Sequence, residues 1–191
     1  MKSNFTVKIF ALLLVACGGS FAAQLTRDGK PAAVFVVPDA APQACAAAER
    51  MQNIVAEMSG AKLAIVAESA PPPAGLVPVY VGWTRFAAAQ GIQQNDLEPE
   101  EIVLGATDRH VLVLGNEGPA GPRKQDVQDG TIFAAVEVLE KLGCRWLWPD
   151  PTGHVIPKTT NVVLPNLEYR HAPKVVDRGM RLQVGMASSF P

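Results

Sequence analysis

The sequence has little charge and no surplus of either sign: 17 Lys and Arg stand against 18 Asp and Glu, a formal net charge of -1. No short window is dominated by Lys and Arg, so nothing in it would neutralise a phosphate backbone, and nucleic acid is not an expected partner. His and Cys are scarce, three of each, and no pair has the C-x2-C or H-x3-H spacing that turns ligands toward one metal. No metal and no cofactor are expected. Aromatic residues make up 6% of the chain, and no Gly-x-Ser-x-Gly elbow is present to carry a serine nucleophile. Long apolar runs are missing too. The run Ile9-Phe10-Ala11-Leu12-Leu13-Leu14-Val15-Ala16 falls well short of the about 20 residues that cross a bilayer core.

What is present suffices for one folded domain: 191 residues, 48% of them hydrophobic, punctuated by 16 Gly and 16 Pro. The short apolar run follows Lys2 and Lys8 and so reads as the core of an export signal, with residues 1–23 excluded from the fold. Two processing readings stay open. Leu14-Val15-Ala16-Cys17-Gly18 has the form of a lipoprotein box, in which Cys17 is lipidated and supplies the only membrane attachment. Ser20-Phe21-Ala22 offers an ordinary signal peptidase its small residues. Either way the mature chain is periplasmic, cell-surface or secreted. Export permits a disulfide between Cys45 and Cys144; the alternative is that both are small buried residues.

Periodicity then gives an α+β order. Ala32 to Val37 reads as a strand, and Cys45, Ala48, Met51, Ile54, Val55 and Met58 mark an amphipathic helix that begins near Asp39 and Pro42 and stops at Gly60. Strands follow at Leu63 to Val66 and Val79 to Gly82, then a short helix capped by Thr84. Next comes a hairpin in which Ile102-Val103-Leu104 and Val111-Leu112-Val113-Leu114 flank Thr107-Asp108-Arg109-His110. A second long helix, capped by Asp129, is expected to bury a stripe of Phe133, Val136, Leu139 and Leu142, with Ile132 beside it, and to end at Gly143. Cys144 to Trp148 reads as one more strand. The expected architecture is a mixed sheet with the two main helices on one face. It occupies residues 24–170, and residues 171–191 form a linker and a first strand of a second, truncated domain.

The run 129–146, from Asp129-Gly130-Thr131 to Gly143-Cys144-Arg145-Trp146, with Pro149, Gly153, Ile156 and Pro157 after it, resembles the N-terminal accessory domain of exported glycoside hydrolases of the α-glucuronidase-like and β-hexosaminidase-like kinds. Gly82-Trp83-Thr84 and Val111-Leu112-Val113-Leu114-Gly115 fit the same pattern, and the resemblance spans roughly residues 34–181. It implies a non-catalytic α+β domain beside a (β/α)8 barrel, with the catalytic carboxylates in the barrel and carbohydrate bound through it. Ala172-Pro173-Lys174-Val175-Val176-Asp177-Arg178-Gly179-Met180 resembles the entry to the first barrel strand, which implies that Arg178 contacts sugar. A guanidinium suits that role because its fixed fork can bridge two hydroxyls. A stand-alone carbohydrate-binding or cell-surface interaction module is the other functional reading.

Among the residues themselves, Trp146 and Trp148 are expected to share one strand face with Cys144, packed in the core or at a domain interface, or stacked on sugar; Trp83 is weighed alongside them. Arg145, on the other face, would meet an acidic group. Glu98, Glu100 and Glu101 form the densest acidic cluster and read as a solvated surface. Asp108-Arg109-His110 reads as turn chemistry. Gly115, Gly118 and Gly121 lack the Gly-Lys-Ser/Thr of a phosphate loop, so that stretch reads as a domain contact.

Overall fold

The structure, a computed structural model, describes residues 22–117, 129–148 and 150–174. Cys17, Arg178 and the expected barrel strand lie outside them. The chain runs through β1 (Ala22–Gln24), β2 (Thr26–Arg27), β3 (Lys30–Pro31), β4 (Ala33–Val37), α1 (Pro42–Ser59), β5 (Ile65–Ala67) and β6 (Val77–Val81). It continues with α2 (Arg85–Ala89), β7 (Ile102–Ala106), β8 (Val111–Gly115), α3 (Gly130–Lys141), β9 (Arg145–Trp146), β10 (His154–Val155), β11 (Val163–Pro165) and β12 (Leu167–His171).

Six strands form one mixed sheet in the order β12-β7-β8-β6-β4-β5. β5, β4, β6 and β8 are parallel, while β7 pairs antiparallel with both β8 and β12. Small antiparallel ladders β1–β11, β2–β3 and β9–β10 are attached to it. Alternation along the strands sends Phe35, Val79, Leu104 and Val113 to the face that α1 and α3 cover, where they meet Met51, Val55, Ala134 and Leu139. The expected mixed sheet with its two long helices on one face is thus present. α2 lies on the opposite face, where Ala87 packs with Leu97, Leu112 and Leu114.

Pro78 sits inside β6 without disrupting it. Val77 donates its N–H to the Ala32 carbonyl on the β4 side, so the next nitrogen points toward β8. β8 begins only at Val111, opposite Val79, so the missing Pro78 donor faces no ladder partner.

Several boundaries differ from the periodicity reading. α3 buries Thr131, Ala134, Ala135, Val138 and Leu139, whereas Phe133 is 44% exposed. Leu139 is buried as expected and Ile132 and Leu142 pack against the core, but Ala134 and Ala135 take the buried places expected of Phe133 and Val136, because the start of α3 lies so close to β8 that only small side chains fit there. A Cβ on Gly115 would lie 2.3 Å from the Gly130 carbonyl carbon. Asp129 does not cap α3 through its side chain; its carboxylate accepts from the Gln43 amide at 3.3 Å. Asp39 accepts from the Ser69 hydroxyl, and Ala41 is the first cap position of α1. Gly60 does end α1, in the left-handed conformation, its N–H returning to the Ala56 carbonyl.

The domain also starts before residue 24 and ends after 170. Ala22 and Ala23 belong to β1, with Ala23 fully buried, and His171 belongs to β12 rather than to a linker. Cys45 and Cys144 are both free, and the Cys144 sulfur instead sits 4.0 Å from that of Met58. The disulfide is absent, and Cys144 is the small buried residue of the alternative reading. Among the described residues no helix is long and apolar enough to cross a membrane.

Gly115→Ala is expected to lower stability by about 1–3 kcal/mol, the usual cost of overpacking. Gly105→Ala, whose new Cβ would meet only the Leu112 Cβ at an ordinary 3.8 Å, should leave it nearly unchanged. Urea unfolding of the two variants checks this, and equal losses would contradict the close approach of α3.

Candidate functional site

The sheet face opposite α1 and α3 is only partly covered, and a cleft of about 350 Å³ lies on it. Its floor is built by register. Gly105 of β7 lies between Leu112 of β8 and Glu168 of β12, and Val103 lies between Leu114 and Arg170. Because Gly105 has no side chain, the floor dips there. Phe86 and Gln90, from α2 and its end, and Ile92 form one wall, and His110 closes the end at the hairpin turn. Thr84 sets the direction of α2 by capping it, its hydroxyl accepting from the Ala87 N–H at 3.3 Å. Tyr80 stacks on Phe86 with ring centroids 4.1 Å apart, and His110 leans on Phe86 at 4.8 Å.

The hairpin turn itself is organised by Thr107, whose hydroxyl accepts from the N–H groups of Arg109 and His110 and lies 3.3 Å from His110 Nδ1. Asp108 and Arg109 point into water, as turn chemistry requires. His110 goes further than that reading, because its ring enters the cleft.

One rim of the cleft is held by an ion pair. Glu101 is 5% exposed, its carboxylate accepting from Arg170 and from the Glu98 N–H at 2.7 Å. Arg170 also donates to the Asp96 carbonyl at 2.9 Å. The Asn116 amide bonds the Leu97 and Glu98 carbonyls and completes the knot. The solvated-surface reading therefore fails at Glu101: an arginine 69 residues downstream folds back over it. The Arg170 hydrogen bond outweighs burial and holds the Glu101 carboxyl below its ordinary 4.5. Burial pushes Glu117 the other way. Both Glu101 oxygens are engaged, one by Arg170 and the other by the Glu98 N–H and Arg170, so the carboxylate is committed to holding the rim.

A second feature lies on the β9–β10 hairpin. Trp146 is half-buried and packs toward α1, lining a shallow trough with Arg50, Asn53 and His154. Trp148 does not share that face. The strand ends at Trp146, the Leu147 N–H closes a turn onto the Gly153 carbonyl, and Gly153 fits so tightly that a Cβ there would lie 2.4 Å from the Trp148 Cβ. Trp148 is left 68% exposed beside Leu147 at 73%. Arg145 finds backbone carbonyls, those of Glu140 and Cys144, rather than an acidic group. Trp83 is anchored in the packing under α2, its indole N–H donating to the Gly115 carbonyl at 3.0 Å.

Among the described residues no cluster of three His, Cys, Asp or Glu is placed to hold a metal ion. No family model matches the chain, and no curated protein matches it either.

The ion pair makes a pH prediction. Since the folded Glu101 carboxyl lies below 4.5, its stabilisation is complete above that pH and is lost as pH falls through the folded value. Arg170→Met should cost about 1–2 kcal/mol at pH 7, solvent screening of the half-exposed guanidinium included. The gap to the parent chain should narrow as pH falls through the folded Glu101 value, which lies below 4.5. Thermal melts at pH 7 and pH 3 measure it; a gap independent of pH would remove Glu101 from the account.

Proposed function

We propose that this chain is the non-catalytic N-terminal domain of an exported glycoside hydrolase acting on polysaccharide or glycan, and that it supports and orients a barrel after it. The observation that carries this reading is the β9–β10 hairpin, within the stretch that resembles such domains. It holds Leu147, Trp148 and Val155 in water at 73%, 68% and 47% exposure. Val155 pairs with Arg145 in the hairpin, and Leu147 and Trp148 follow directly after its first strand. A tight turn holding contiguous apolar side chains outward is the form of an interface, and it matches what a neighbouring domain would cover. Arg178 is then the contact with sugar at the barrel entry.

The exposed Trp148 indole also supports the second reading, a stand-alone carbohydrate-binding or cell-surface module, since a sugar platform needs an indole face in water. The aliphatic neighbours favour the first reading. Sugar hydroxyls need polar partners beside the ring, and Leu147 and Val155 offer none.

The double variant Leu147→Ser/Trp148→Ser should leave the melting temperature of this chain alone nearly unchanged, because exposed substitutions shift stability by about 0.5 kcal/mol or less. It should lower that of a protein carrying the barrel. The chain alone should hydrolyse no aryl glycoside above background, and in the barrel-bearing enzyme Arg178→Ala should raise KM. Reading the coding frame past Pro191 tests the premise: βα repeats over about 250 residues are expected, and a stop codon there overturns the accessory reading.

A further inference from the structure

We infer that the cleft on the uncovered sheet face binds a neutral saccharide of one or two rings, at a site distinct from any in a following barrel. The inference stands on the residues of the cleft and not on the accessory-domain reading. About 350 Å³ is ample for a hexose ring, and the lining has the mixed character of a small-ligand site, apolar walls with a few converging polar groups.

The polar groups define the ligand. Glu168, exposed on β12 opposite Gly105, lines the cleft, and its side chain has no ion pair or hydrogen bond to another described residue, so its carboxylate is free to accept from a ligand in place of water. Arg170, two residues along on the same face, uses Nε and Nη2 on Glu101 and the Asp96 carbonyl and keeps Nη1 as an unspent donor. Gln90 adds an amide that both donates and accepts, and His110 adds an imidazole. A ligand that satisfies this set must donate and accept at several points around one small body, which is what ring hydroxyls do. An ammonium only donates and would leave the Arg170 donor unanswered.

Charge excludes acidic sugars. Arg170 is already neutralised by Glu101, so Glu168 leaves the cleft with a net negative charge, which opposes a uronate. The Phe86 ring, held by its stack on Tyr80, supplies an apolar wall for the C–H face of the sugar. Gly105 supplies the depth. Its backbone is not in the left-handed region and a Cβ would meet only the Leu112 Cβ at an ordinary 3.8 Å, so a valine there can be seated on the strand with its methyl groups taking up the floor.

The test is titration of the 15N-labelled full chain with cellobiose, maltose and glucuronic acid, followed by amide shifts. Saturable shifts of Gly105, His110 and Glu168 are expected with a neutral disaccharide at a Kd on the order of 1 mM, with glucuronic acid at least tenfold weaker. Gly105→Val and Glu168→Gln, both expected to keep the parent melting temperature, should each raise Kd tenfold or more. No saturable shift with any of the three probes overturns the proposal. So does tighter binding of glucuronic acid. Binding that survives Gly105→Val but is lost in Trp148→Ala also overturns it, and places the sugar on the hairpin as the stand-alone module reading requires.

Discussion

Two glycines in contact set the arrangement of the domain. The end of β8 and the start of α3 touch backbone to backbone at Gly115 and Gly130, and the contact is fastened on both sides. The Gly130 N–H donates to the Asn116 carbonyl at 3.1 Å, and the Gly115 N–H to the Thr131 hydroxyl at 3.3 Å. That seat brings Ala134 and Ala135 down among the sheet residues and places α1 beside α3. Both long helices are thereby committed to one face. Among the described residues the other face carries the five-residue α2 and the loop around Leu97, which leave a cleft between them and the sheet.

The far edge of the sheet depends on longer-range ties. β12 is an edge strand with a mostly exposed pattern, and two charged contacts hold it in place besides its ladder to β7. Arg170 reaches Glu101 on one face. On the other, the Lys141 ammonium sits 4.5 Å from the centre of the Tyr169 ring while bonding Glu137 at 2.9 Å. Lys141 lies in the last turn of α3, where its charge also suits the helix end. The edge strand is thus fixed from above and below by groups distant in sequence.

Local patterns were legible in the sequence, and the ties between them were not. The β4–α1–Gly60 segment, the Thr84 cap and the β7–β8 hairpin follow from apolar spacing and turn residues within a few positions of one another. Apolar spacing points to Leu139 and Leu142 of α3 correctly but favours Phe133 and Val136 over Ala134 and Ala135, and the neighbouring backbone is what requires small residues there. β12 carries little signal of its own: Leu167-Glu168-Tyr169-Arg170-His171 alternates weakly, and its strand character comes from the β7 edge. The cleft was illegible for the same reason. Gly105, His110 and Glu168 are unremarkable singly and meet only through register. The exposure of Trp148 depends on a turn packed around Gly153, whereas period-two reasoning carries a strand straight through it.

Pro78 has a consequence for how the sheet assembles. A one-step slip of a strand turns every side chain to the opposite face, which already opposes misalignment where one face is buried. A nitrogen with no hydrogen adds a backbone penalty to the same slip. If β8 slid one step back along β6, a carbonyl would be set against Pro78 and go unanswered in a dry interior. The imino acid therefore works as an alignment mark, tolerated in the correct pairing and penalised in the adjacent one.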